Sequence, residues 1–217
     1  MIYQLYYDSN VQESPFSHLY IKFDLSSIKD PEYLPQVNNE YLGLVYLWRN
    51  CSDFDFWIGF TSCNQIKKSN YIFSDKFYIE EKLKRFDVLT WLWINFPYTL
   101  QQQAEICHPG ITQSTLNLYK QFNEVYPIEF DKTDSGVYAN YWIMSKRNFN
   151  AFMSWSYPKV KWMIDNHEAD PYYALDRKHK NGVGYIAERM LIHWYMIYKK
   201  TVYDVVNNDL VNSIYLL

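Results

Sequence analysis

Few side chains in this sequence have a type and spacing suited to chemistry, and each carries a structural role as an alternative. Glu188, in Gly184-Tyr185-Ile186-Ala187-Glu188-Arg189, sits one turn into a helical stretch among apolar neighbours. A carboxylate placed there can take a proton from an acceptor hydroxyl, or it can form an ion pair with Arg189 or a nearby strand. Asp53-Phe54-Asp55 has the Asp-x-Asp spacing that offers two hard oxygen ligands to Mg or Mn. These residues open a strand rather than close one, which favours a polar strand entry. Asp55 and Asp75 are therefore only single-carboxylate metal candidates, and helix capping is the competing role of Asp75. The polar cluster Thr61-Ser62-Cys63-Asn64 follows the apolar run Phe54–Phe60, where a strand would open at its carboxyl end. In open α/β sheets, ligands sit outside such ends.

His167 and His179 fall in loops and His193 inside a helix, none at metal-ligand spacing. Cys51, Cys63 and Cys107 form no CxxC pair and are odd in number, so neither a zinc site nor a disulfide framework is implied. Reduced thiols in a cytoplasmic compartment are the simplest reading. There is no GxGxxG, Walker loop or GxSxG motif, so nothing announces a dinucleotide, ATP or serine-hydrolase site.

The elements that must position these groups follow from hydrophobic period. Asn39 to Asn50 reads as a helix with Tyr41, Leu42, Val45, Tyr46 and Trp48 on one stripe, and Asn38 or Asn39 can cap it. Ile2–Tyr7, Leu19–Phe23, Phe54–Phe60, Asp87–Trp93 and Val137–Met144 read as strands, the last with Tyr138 and Asn140 on one face. Helices are expected from Ser74 or Asp75 to Arg85, over Leu100–Cys107 and Ile111–Val125, from Lys146 with a stop or kink at Pro158, and over Gly184–Lys200. Ile128–Gly136 and the charged stretch from Asn166 to Gly182 read as loops. Val202–Val206 reads as an edge strand, and the tail Ile214–Leu217 is expected to dock on the body. This alternation implies a three-layer α/β domain with a mostly parallel sheet, residues 1–217 forming one domain or one domain of a longer polypeptide.

Composition narrows the partners. A net charge of −3 argues against nucleic acid, because phosphate contacts need a basic face. Aromatic residues make up 20% of the chain, enough to suggest either a ring-built core or a ring-lined sugar cleft. The first ten residues lack a basic segment and an apolar core, so they do not read as a signal peptide. The longest apolar run, Val88 to Phe96, is too short to span a bilayer.

Four ordered blocks resemble one family. Tyr41-Leu42-Gly43-Leu44-Val45-Tyr46-Leu47-Trp48-Arg49-Asn50, with Asp55-Phe56-Trp57-Ile58-Gly59-Phe60, resembles a helix E-L-x-G-L-Y-W-I-W-K-N followed by a strand D-Y-V-G-L. That pattern belongs to the glycosyltransferase-like domain of bacterial capsular and exopolysaccharide biosynthesis proteins. Arg85-Phe86-Asp87-Val88-Leu89 resembles the family's K-Y-D-I-I, and Tyr138 to Lys146 resembles its Y-N-M-F-I-M-K-K. Gly184 to Leu191 resembles its G-F-L-S-E-R-L-L. Where the family has H-Y-R-R after the strand, this chain has Thr61-Ser62-Cys63-Asn64.

The resemblance implies a GT-A-like α/β/α fold and a nucleotide-sugar donor, a UDP-sugar first among them, with Mn or Mg a further option that nothing in the sequence signals. It implies transfer to a glycan hydroxyl in polysaccharide biosynthesis. The expected donor site comprises Tyr6, Tyr7 and Asp8 at the base and ribose, Glu40, Tyr41 and Arg49 beside the donor, and Thr61, Ser62, Cys63 with Lys67 or Lys68 at the diphosphate. Asn140 and Trp142 would face sugar or acceptor, and Glu188 would be the base. Two alternatives stand beside this: a non-catalytic carbohydrate- or protein-binding module with an aromatic surface, and a small-molecule hydrolase without a recognisable nucleophile.

Overall fold

The computed structural model of the chain describes residues 1–6, 18–28, 40–50, 56–62, 68–69, 71–137, 140–173, 182–207 and 209–210. The readings at Tyr7, Asp8, Asn38, Asn39, Asp53, Asp55, Cys63, Lys67, Tyr138 and the tail Ile214–Leu217 lie outside these residues.

Among the described residues, β1 (Ile2–Tyr6), β2 (Tyr20–Asp24), β3 (Trp57–Ser62), β4 (Val88–Thr90), β7 (Trp142–Ser145), β8 (Val202–Asp204) and β9 (Asp209–Leu210) form a seven-stranded sheet ordered β2-β1-β3-β7-β4-β8-β9. β1, β2, β3, β4 and β8 run in one direction, while β7 and β9 run against them. The sheet is thus mostly parallel, and β3 is buried at every position, as expected of a strand covered on both faces.

One face, carrying Leu5, Ile58, Phe60, Trp142, Met144 and Val88, packs under α1 (Glu40–Asn50), α5 (Lys146–Asp165) and α6 (Gly182–Ile197). The other, carrying Ile2, Trp57, Leu89, Tyr141 and Ile143, is covered by Leu19, Phe73 and Ile79 of α2 (Lys76–Leu83). Three layers result, matching the expected α/β/α class. α3 (Leu100–Cys107) and α4 (Ile111–Gln121) pack beyond α6, with a small sheet of β5 (Trp93–Asn95) and β6 (Ser135–Val137).

Local chemistry explains several boundaries. Asp75 Oδ1 accepts from the backbone N–H of Phe77 and Tyr78, so it caps α2. Thr99 and Gln102 form a reciprocal capping box on α3. Ser145 Oγ accepts from Asn148 N–H at the start of α5. A glycine at position 43 lets α1 approach the sheet: a Cβ there would meet Leu25 Cδ2 at 2.7 Å and Leu5 Cδ2 at 3.0 Å.

Four expectations are corrected. α5 runs unbroken through Pro158, because packing of its buried face outweighs one lost backbone bond. The run Asp87–Trp93 is two strands on two sheets, since the chain leaves the main sheet at Trp91 and Leu92. Val137–Met144 likewise divides between β6 and β7, and Asn140 lies in the turn between them. β8 is not an edge strand, because β9 pairs with it. No helix among the described residues is long and apolar enough to cross a membrane.

Candidate functional site

The five codirectional strands end at Tyr6, Asp24, Ser62, Thr90 and Asp204, all on one edge of the sheet. α6 runs against β8, which follows it, so the first turns of α6 lie at that same edge. This brings Glu188 close to Glu40, the first residue of α1, and to Lys68, which follows β3.

Glu188 is half-buried and forms no hydrogen bond or ion pair among the described residues. Burial pushes its carboxyl above the ordinary carboxylate range; Arg189 opposes that rise, the Glu40 carboxylate adds to it, and Lys68 opposes it. Arg189 is not its ion-pair partner. The Arg189 guanidinium donates from Nη1 to the Tyr185 carbonyl at 3.0 Å and from Nη2 to Gln103 Oε1 at 3.2 Å. Glu188 instead lines a small cavity with Phe96, Gln103, Gly136 and Arg189. A desolvated carboxyl with its oxygens uncommitted is a stronger proton acceptor, once ionised, than one held by several donors.

Lys68 Nζ lies over the Tyr141 ring, 5.7 Å from its centroid, and the Tyr141 hydroxyl is 2.6 Å from Ser62 Oγ. Under the exposed Lys68, Ser62 at 3% exposure and Tyr141 at 0% form a buried polar pair across the ends of β3 and β7. Asn140 precedes Tyr141 and is buried at 8% exposure, and Tyr6 is half-buried at the tip of β1. This edge can hold an anionic ligand against Lys68 and present Glu188 to a hydroxyl.

Several expected site residues lie elsewhere. Tyr41 is buried, and its hydroxyl is 2.7 Å from Ser156 Oγ on α5; the helix turns this ring into the core. Arg49 occupies the last turn of α1, about 14 Å along the axis from Glu40. It lies over the Tyr157 ring and donates to the Tyr157 hydroxyl, so it does not join Glu40 at the strand ends. Thr61 is fully buried within β3, its Oγ1 without a partner among the described residues. Trp142 is wholly buried against Phe60, Phe149 and Phe152. Asp75 caps α2 through Oδ1. Among the described residues no group of three or more His, Cys, Asp or Glu is placed to hold a metal ion.

Sequence reasoning missed Tyr141. Its alternation with Trp142 was a usable signal, since one of two adjacent strand residues must face each layer. Continuing the strand back to Val137 hid it.

His193 is a core residue of α6, its Nδ1 2.9 Å from the Tyr119 hydroxyl amid the rings of Tyr126 and Phe130. Burial, then the nearby Arg189 charge, pushes its pKa down to about 3. The folded pKa lies below the unfolded value, so the unfolded chain binds the extra proton. Stability is complete above the unfolded pKa and falls as pH drops from about 6.5 toward 3. Between pH 7 and pH 5 this group alone should remove about 2 kcal/mol. Urea unfolding at the two pH values should show the loss, and a His193→Gln variant should lose correspondingly less between them.

Comparison with known proteins bears on this arrangement. No family model matches the chain, and no curated protein matches it. Among solved structures it is similar to WbbM, described as a bifunctional glycosyltransferase in an apo structure. The TM-score is 0.63 at 15% identity, over 94% of this chain and 44% of that one. The fold is shared at that level, and this chain spans less than half the length of the chain it matches.

Proposed function

We propose that the protein is a glycosyltransferase that moves a sugar from a nucleoside-diphosphate donor to a glycan hydroxyl. The observation that carries this reading is the half-buried Glu188, without a hydrogen bond or ion pair among the described residues, at the carboxyl edge of the sheet where Lys68 also lies. The fold held in common with a bifunctional glycosyltransferase supports it, as do the four sequence blocks that resemble a glycosyltransferase-like family.

In this reading the Glu188 carboxylate takes the proton from the acceptor hydroxyl. The hydroxyl oxygen forms a bond to the sugar's anomeric carbon as the bond to the diphosphate oxygen breaks. The diphosphate leaves with the electron pair, and the Lys68 ammonium stabilises its growing charge. Ser62, with Cys63 and Lys67 next in sequence, lies on the diphosphate side; Tyr6, Tyr7 and Asp8 take the base and ribose. Asn140 is the remaining candidate for the transferred sugar, and Glu40 flanks Glu188.

A thermal-shift panel of UDP, GDP, CMP and their common sugars, with and without Mn²⁺, tests this. A nucleotide at 100 times its dissociation constant adds about 2.7 kcal/mol, expected to raise the melting temperature by roughly 5–10 °C in a domain of this size. One nucleotide class should give that shift, UDP and its sugars first. Silence across the panel in folded protein would remove the transferase reading in favour of a carbohydrate-binding module.

A further inference from the structure

A second concavity opens on the same edge of the sheet, over the carboxyl ends of β4 and β8. It has a volume of about 500 Å³. Its lining includes Tyr71, Trp91 and Trp93, with Asp204, Asn207 and Lys68 as polar members; Trp91 and Asp204 are each buried at 1% exposure.

These walls are fixed by contacts of their own. Ser69 Oγ donates to the Trp91 carbonyl at 3.0 Å and accepts from Tyr71 N–H at 3.3 Å. The Trp91 ring is held edge-on by Phe73 at 5.0 Å and by Tyr141 at 6.0 Å. Its buried indole N–H has no acceptor among the described residues. Asp204 closes β8, with one carboxylate oxygen accepting from Val206 N–H at 3.0 Å and the other from Asn207 Nδ2. Tyr71 and Trp93 are half-buried and line the groove, and Asn207 is exposed.

Rings beside a carboxylate, an amide and an ammonium suit a pyranose. The sugar's C–H face packs on an aromatic face, while its hydroxyls donate to the carboxylate and accept from the amide. A polyphosphate fits less well, because the buried Asp204 carboxylate lies among the lining residues and Lys68 is the only cation among the described ones.

We propose that this groove is the acceptor subsite, in which Tyr71 and Trp93 support a sugar ring and Asp204 and Asn207 bind its hydroxyls. The proposal rests on the transferase reading and deepens it. Lys68 lines the groove and its charge also acts on Glu188, so the groove lies on the same edge of the sheet as that carboxyl. It also moves the acceptor away from the core residue Trp142.

The test uses the full chain labelled with 5-fluorotryptophan and followed by ¹⁹F NMR. The signals of Trp91 and Trp93 are assigned with Trp91→Phe and Trp93→Phe. Methyl glucosides, methyl galactosides, N-acetylglucosamine and glucose- or galactose-containing disaccharides are titrated first, then UDP and GDP. A saccharide is expected to move the Trp91 and Trp93 signals, and to do so equally in protein saturated with UDP or GDP, because the two ligands share only the rim at Lys68. Tyr71→Ala should weaken that saccharide roughly tenfold and keep the nucleotide-induced melting shift. Asn207→Ala should weaken it as well; because it also removes the Nδ2 donor to the buried Asp204 carboxylate, a denaturant melt of that variant separates lost binding from lost stability.

Loss of the saccharide-induced shift once a nucleotide is bound would overturn the proposal and make the groove the donor's. Saccharide binding that moves only other indoles would overturn it too. So would the absence of any saccharide response while a nucleotide still stabilises the protein, an outcome that leaves the transferase reading standing. Failure of nucleotides and saccharides together would bring down that underlying reading.

Discussion

Glu188→Gln is expected to lower turnover by roughly 10²-fold or more, with the fold intact. Glutamine keeps the shape of the side chain and removes its ability to take a proton. Stability should not suffer, because Glu188 contributes no hydrogen bond or ion pair among the described residues. Burial holds its folded pKa above the ordinary value, so the folded protein binds the extra proton across the window between the two values. Stability of the native chain therefore falls as pH rises through that window, and the variant escapes this loss. The Gln variant should be slightly the more stable at neutral pH, with the difference vanishing below the unfolded pKa. Activity runs the opposite way: wild-type turnover should rise with pH through the raised pKa, since only the carboxylate is a base. Turnover and denaturant melts across the pH range check both halves. Normal turnover in the variant would remove Glu188 from the mechanism.

Trp142→Ala is expected to destabilise the protein by about 3–5 kcal/mol, the largest single stability effect foreseen here. The ring is fully buried, with its centroid 4.7 Å from that of Phe60 and about 6 Å from those of Phe149 and Phe152. It joins the central strands to α5, so truncation opens a cavity between layers that cannot collapse without moving the sheet. Trp142→Phe should keep most of that stability. It should also bind donor as the native chain does, because the position faces the helical layer and not the ligand edge. Chemical denaturation of the three proteins, with nucleotide binding measured on the two that remain folded, distinguishes the roles. An alanine variant with native stability but lost sugar binding would return Trp142 to the site.

Local chemistry was legible in the sequence because it depends on neighbours a few residues apart. The helix after Asn39, the Asp75 and Ser145 caps, and the carboxyl end of the strand carrying Trp57 and Ile58 all follow from side-chain spacing and short-range hydrogen bonding. So did the three-layer class, since alternating helices and strands can bury their apolar faces in few ways. Which residues meet at the site was set otherwise. Tyr41, Arg49 and Trp142 have the composition of a ligand cleft, yet helix rotation and strand pairing turn them into the core or toward α5. The pairing of β7 between β3 and β4 sends Trp142 to one face and leaves Tyr141 beside Ser62 and Lys68. Residue type fixed what Glu188 could do; the direction of α6 against β8 put it beside Lys68 and Glu40, because long-range contacts obey sheet order and helix direction, which no local window of sequence contains.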